Sequence, residues 1–174
     1  MNTFVKIKLI ERYAKVVYYS VSIDDEQLTL FDKFIAKHET TNRKKLNHIL
    51  EWISEIGENI GARKELFRNE AVIADTAGLP PVGMEREPAY TESGKKKPNN
   101  LRLYCLQANE SVVFLFDGDI KTENNALDCP NVKPHLNLAN QITKAIDRAI
   151  IERDIQWNNN MNDIDFDPDL IIYL

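Results

Sequence analysis

Three side chains in one short stretch carry chemistry suited to a phosphodiester. Arg102 and Tyr104 lie two residues apart in Leu101-Arg-Leu-Tyr-Cys105, and Lys121 follows the apolar run Val112-Val-Phe-Leu-Phe116. Residues at i and i+2 of a strand project from one face. Lys121 leaves the neighbouring run and is expected close by. Cations stabilise the negative charge that develops on phosphate oxygens, and a lysine or tyrosine can move protons. The same three residues also fit a half-exposed sheet face that shows ordinary cations to water. Residue type alone leaves both readings open.

Other chemistry is harder to build. His38, His48 and His135 are far apart and match no metal-ligand spacing, so neither a metal nor another cofactor is expected. His48, between Asn47 and Ile49, reads as a surface or boundary residue. Asp117-Gly-Asp119 looks like a carboxylate pair, but Gly and Asp are turn residues and the segment reads first as the end of a strand. No nucleophile–histidine arrangement can be picked out, because triads are recognised by geometry. Gly57-Glu-Asn-Ile-Gly61 lacks the lysine and the preceding strand of a phosphate-binding loop. Lys95–Lys97 reads as a solvated charge run able to touch phosphates. Two cysteines are too few for a disulfide framework. Cys105 is expected in a strand, and Cys129, beside Pro130, in a loop.

The elements that must hold these residues follow from periodicity. Leu101–Gln107 alternates with period two, and Val112–Phe116 is an unbroken run of β-formers, expected to be a central strand buried on both faces. Asn109–Ser111 supplies a turn, so the two runs pair antiparallel. Phe4–Ile10 and Val16–Ile23 form a second hairpin across Arg12–Lys15. Asp24 is placed to cap a helix through Lys37. A second helix covers Asn42–Ile56, with Gly57 suited to its C′ position. A short helix or turn over Gly61–Glu70 leads to a strand near Ala71–Ala74. Residues 75–100 read as one long loop, of the kind that is usually functional. Pro134 starts a last helix through Arg153, with Leu138, Ile142, Ala145, Ile146 and Ala149 inward.

A chain of 174 residues, 43% hydrophobic and 28% charged, suits a single domain with one good core. No apolar run approaches the ~20 residues that span a bilayer. The charged N-terminus lacks the apolar core of a signal peptide, and the cytoplasm is the expected location. A formal net charge of −5 argues against a generic nucleic-acid binder. Four aspartates in Met161–Leu174 supply most of that charge, however, and the remainder is close to neutral. This acidic extension, residues 158–174, ends in Leu170-Ile-Ile-Tyr-Leu174. Such an apolar terminus is expected to dock as an edge strand or on a partner, its aspartates screening Arg102 or Lys121.

The order helix–helix, strand, R-x-Y strand, VVFLF strand, I-K-T exit and terminal helix resembles the RelE/ParE/HigB toxin superfamily of type II toxin–antitoxin systems. The residues that carry it are Leu101–Cys105 and Val112–Thr122, within roughly residues 42–153. The resemblance implies an α+β fold in which a small antiparallel sheet packs with three helices. It also implies an antitoxin partner of the helix-turn-helix type and ribosome-dependent mRNA cleavage, with attack by a ribose 2′-hydroxyl and no metal. By position Arg102 would stabilise the scissile phosphate, Lys121 would be the basic residue after the last strand, and Tyr104 would orient or stack. Arg63 and Arg68 would support substrate binding. The other reading is a non-catalytic protein-interaction module that keeps the toxin fold.

Overall fold

The Leu101–Ile120 hairpin is the middle of the molecule, described by a computed structural model for residues 2–69 and 75–174. The N-terminal hairpin is β1 (Phe4–Arg12) and β2 (Val17–Ile23), followed by α1 (Leu30–His38) and α2 (Arg43–Glu55). Then come β3 (Arg68–Asn69), β4 (Thr76–Leu79), and a small hairpin of β5 (Thr91–Glu92) and β6 (Lys95–Lys96). The central pair is β7 (Leu101–Gln107) and β8 (Val112–Ile120), after which α3 spans Lys133–Ile151. The tail adds β9 (Ile155–Trp157), β10 (Ile164–Phe166) and β11 (Ile172–Tyr173). The strand expected near Ala71–Ala74 lies outside the described residues.

Among the described residues, seven strands form the main sheet in the order β11-β1-β2-β8-β7-β4-β3. β7 and β8 pair antiparallel as expected, but β2 runs parallel to β8, with Val17 opposite Val112 and Tyr19 opposite Phe114. The small antiparallel sheet of a RelE-like fold is therefore not what this chain builds. Its sheet is mixed and wide because the N-terminal hairpin joins the central one side by side. β4 then extends the opposite edge, and β5 with β6 and β9 with β10 make two further small sheets.

Both faces of β8 are covered, which is why Val112–Phe116 has no polar position. On one face Leu101, Leu103, Cys105, Val113 and Leu115 pack with Phe34 of α1 and Ile49 and Trp52 of α2. On the other, Tyr104, Leu106, Phe114 and Phe116 meet Leu136, Ile142 and Ile146 of α3. α3 buries Leu136 and Ala139 in its first half, and Leu138 only partly. Truncating a fully buried leucine such as Leu115 to alanine should cost about 2–5 kcal/mol.

Several local expectations are corrected by specific contacts. α1 starts at Thr29 rather than Asp24: Thr29 Oγ1 accepts from the Asp32 N–H and Asp32 accepts from the Thr29 N–H, a reciprocal cap. Asp24 instead turns the chain, its carboxylate accepting from Phe4 N–H at 3.1 Å. α2 does not stop at Gly57. It continues through a wider turn over Ile56–Ile60, and Gly61, at φ 94°, closes it. The 75–100 stretch is not one loop, since it contains β4 and the β5–β6 hairpin. Thr76-Ala-Gly-Leu79 lacks the β-branched run that marks a strand, so only pairing with β7 reveals it. The tail docks through β11, with Phe4 opposite Tyr173 and Val5 opposite Ile172. Its Asp163 reaches Arg12 and Tyr19, and not Arg102 or Lys121.

Candidate functional site

Asp117-Gly-Asp119 does not end β8; the strand runs through it to Ile120. Leu103 faces Gly118 and Cys105 faces Leu115, so Phe116 and Asp117 together oppose Tyr104. This bulge re-aims the side chains that follow it. Gly118 is required there because a Cβ would lie 1.8 Å from the Arg102 carbonyl oxygen. β2 pairs with β8 only as far as Phe114, and the C-terminal end of α1 lies beside the rest of β8.

Five titratable side chains from three elements converge on that end of β8. Lys37 Nζ from α1 is 3.2 Å from Asp117 Oδ1, 3.8 Å from Asp119 Oδ2 and 3.3 Å from His135 Nε2 at the start of α3. His135 Nδ1 is 3.8 Å from the other Asp117 oxygen. His38, the last residue of α1, places Nε2 3.8 Å from Asp119 Oδ1, while its Nδ1 accepts from the Asn42 amide at 2.9 Å. Asp117 is further fixed by the Gly118 N–H at 2.7 Å, and Asp119 by the Ile120 N–H at 2.8 Å.

The proton positions follow from the donors. An ammonium has no acceptor, so Lys37 must donate to His135 Nε2, which leaves the His135 proton on Nδ1, facing Asp117. A second proton on Nε2 would abut the ammonium. Burial, with Lys37 opposing Asp117, holds the His135 imidazole below the usual histidine range. Burial likewise lowers His38, against the pull of Asp119. Both rings are therefore neutral near pH 7. Lys37 remains about one-third exposed and His135 about one-quarter, while His38 is sealed in. The arrangement offers a neutral imidazole base, an adjacent cation that donates to it, and a carboxylate that holds the cation.

The residues singled out from the sequence are distributed unevenly around this cluster. Arg102 is the cross-strand partner of Asp119, and the Lys121 N–H donates to Asn100 O at 2.7 Å, so both stand at the same end of the hairpin. Arg102 is buried, its Nη1 donating to the Asn99 and Leu101 carbonyls at 2.6 and 3.1 Å. Tyr104 is fully buried in the layer under α3. Arg63 is exposed at the opposite end, following Ala62, whose N–H donates to Glu110 O in the β7–β8 turn. The five residues from Arg102 to Gln107 span about 17 Å of strand. Arg68 lies on β3, three strand spacings or about 14 Å from β8, and its Nε donates to Pro80 O at 2.7 Å. The register thus brings Arg102, Lys121 and the buried Tyr104, which lies opposite Asp117, to this end of the hairpin and leaves Arg63 and Arg68 elsewhere.

Sequence reasoning missed Lys37, His38, Asp117, Asp119 and His135 as a group. One signal was available: a strand of solid β-formers that ends in two carboxylates is unusual, because only an outside cation or donor makes such partly buried charge tolerable. Cys129, before α3, is also buried. Burial pushes its thiol up, but hydrogen bonds from Thr122 and from the backbone at Val132 and Asn131 outweigh that and bring it to about 7. Among the described residues no three His, Cys, Asp or Glu side chains are arranged as a metal site, and no helix is long and apolar enough to cross a membrane. No family model, no curated protein and no solved structure matches the chain.

Proposed function

We propose that this chain is an RNA endonuclease whose chemistry is done at the end of β8. The observation that carries the reading is Lys37 Nζ lying 3.2 Å from Asp117 and 3.3 Å from His135 Nε2. A substrate phosphate draws Lys37 toward its oxygens and frees His135 Nε2. His135 then takes the proton of the ribose 2′-hydroxyl. The 2′-oxygen bonds to phosphorus, the P–O5′ bond breaks, and Lys37 protonates the departing 5′-oxygen. The products are a 2′,3′-cyclic phosphate and a 5′-hydroxyl end, and solvent returns both groups to their starting protonation. Asp117 holds the ammonium in register beside the ring.

The resemblance to type II toxins supports the same reaction class and adds a cytoplasmic setting and a neutralising partner protein. It assigns the work to Arg102, Tyr104 and Lys121, whereas here Lys37 and His135 replace Tyr104. The test is cleavage of a short single-stranded RNA, free and ribosome-bound, by the full chain, with product ends identified. The expected result is a cyclic phosphate, no cleavage next to a 2′-deoxy substitution, and loss of activity in His135→Ala. Expression without a partner should arrest growth, and His135→Ala should relieve the arrest. Intact RNA in both formats, with normal growth at a high level of folded protein, would leave the interaction-module reading standing instead.

A further inference from the structure

The strap from Pro80 to Asn99 closes over α2 and encloses a pocket of about 110 Å³ that shares no residue with the Lys37–His135 cluster. Trp52 and Tyr90 line it together with three cations, Arg68, Arg86 and Lys97. The same strap carries three glutamates, and each is turned elsewhere. Glu85 and Glu87 both pair with Lys96, at 3.2 and 3.4 Å, and Glu92 accepts from the Tyr90 hydroxyl. Among the described residues no carboxylate lines the pocket. Sorting charge this way within one segment concentrates positive potential in a concave site, where low-dielectric walls focus it.

Arg86 donates from Nη1 to Glu65 O at 3.4 Å, which leaves its other guanidinium donors for a ligand, and the remaining polar groups are more tightly committed. His48 donates from Nε2 to Pro88 O at 2.9 Å and accepts the Asn99 amide on Nδ1 at 3.0 Å, so it pins the strap and is not a ligand. Burial keeps that ring neutral. Arg68 Nε is tied to Pro80 O at 2.7 Å, which sets its guanidinium as part of the wall. The pocket volume is well below the ~300–1,000 Å³ of a drug-sized ligand's pocket and suits a tetrahedral oxyanion.

We propose that this pocket binds a phosphate group, gripped by Arg86 and Lys97 against the wall that Arg68 forms. The phosphate is either free in solution or the terminal phosphate of an RNA, and the recognising chemistry is shared. The site does not depend on the chain cleaving RNA. Titration of the full chain with inorganic phosphate should give saturable one-to-one binding. Affinity should fall about tenfold or more in Arg86→Gln and in Lys97→Gln, as expected for losing one charge-assisted contact. Both side chains are exposed, and matching thermal unfolding curves would show that the variants fold. A 5′-phosphorylated hexanucleotide binding more tightly than its 5′-hydroxyl form, with the preference lost in Arg86→Gln, would assign the site to an RNA end. Equal binding of the two, with inorganic phosphate still bound, would assign it to free phosphate. Absence of saturable phosphate binding, or binding unchanged in both variants, would overturn the proposal.

Discussion

Asp163 and Asp117 are both partly buried carboxylates met by a cation and a third polar side chain, yet they are built for different ends. Asp163, in the tail, takes the Arg12 guanidinium and the Tyr19 hydroxyl. Arginine keeps its proton at any accessible pH. Burial and the Asp163 contact push the Tyr19 phenol far above its ordinary value. No member of that group exchanges a proton near neutrality, and it acts as a clasp between the tail and the β1–β2 hairpin. Asp117 takes a flexible lysine and a neutral histidine instead. What separates a clasp from a reactive site is whether the groups around the carboxylate can give and take protons.

The largest expected effect lies on the reactive side. His135→Ala should lower RNA cleavage by about 10²–10⁴-fold, the span of a general base, while the unfolding midpoint barely moves. Asp163→Ala should do the reverse. Removing a charged hydrogen-bond partner is worth about 1.5–3 kcal/mol, read as a lower urea midpoint together with faster amide exchange at Ile172 and Tyr173, and cleavage by the folded fraction should stay at the wild-type rate. If the two variants gave the same profile, the distinction between clasp and site would collapse.

The contrast also marks what could be read from the residues alone. The β7–β8 hairpin was legible because alternation in Leu101–Gln107 and the solid run Val112–Phe116 are strong local signals. The docking of Leu170–Leu174 was legible because an apolar terminus has to be buried. The parallel register of β2 against β8 leaves no local trace, since it depends on where α1 and α2 return the chain. β4 is a Thr-Ala-Gly-Leu segment that only its partner makes a strand. The reactive cluster draws on residues 37, 38, 117, 119 and 135, whose separations hide the contact. Asp117-Gly-Asp119 looked like a turn because Gly118 is there for the Arg102 carbonyl, a reason that exists only across the strand pair.

Acidification should resolve the two groups by pH. Burial lowers His38, His48 and His135 in the folded chain relative to the ordinary value of 6.5. Between that value and each depressed one, the unfolded chain binds more protons, so stability should fall as pH drops below about 6.5. Asp163 behaves differently. Burial pushes its carboxyl up, but Arg12 and Tyr19 outweigh that and hold it below 3.8. Its contribution is present above 3.8 and is lost only as pH falls below that. Urea midpoints measured from pH 8 to pH 3 should show the first decline blunted in His135→Ala and the second in Asp163→Asn. A first decline unchanged by replacing the histidines would mean that their neutral forms are not what the fold requires.

The smallest expected effect tests the clasp from its uncharged side. Tyr19→Phe removes only the hydroxyl that donates to Asp163. The ring should keep its packing, with Phe114 and Phe166 at centroid distances of 5.7 and 5.9 Å. Asp163 would still hold Arg12 and accept from the Ile164 N–H at 2.8 Å, so no carboxylate oxygen is stranded without a donor. The loss should therefore be that of one hydrogen bond between partners that remain otherwise satisfied, about 1 kcal/mol. A double-mutant cycle with Asp163→Ala isolates it, because Tyr19→Phe should be nearly silent once the carboxylate is gone. Cleavage should not change in either background. A loss of cleavage in folded Tyr19→Phe would mean that the tail clasp communicates with the β8 end, and would move Asp163 from the structural group to the functional one.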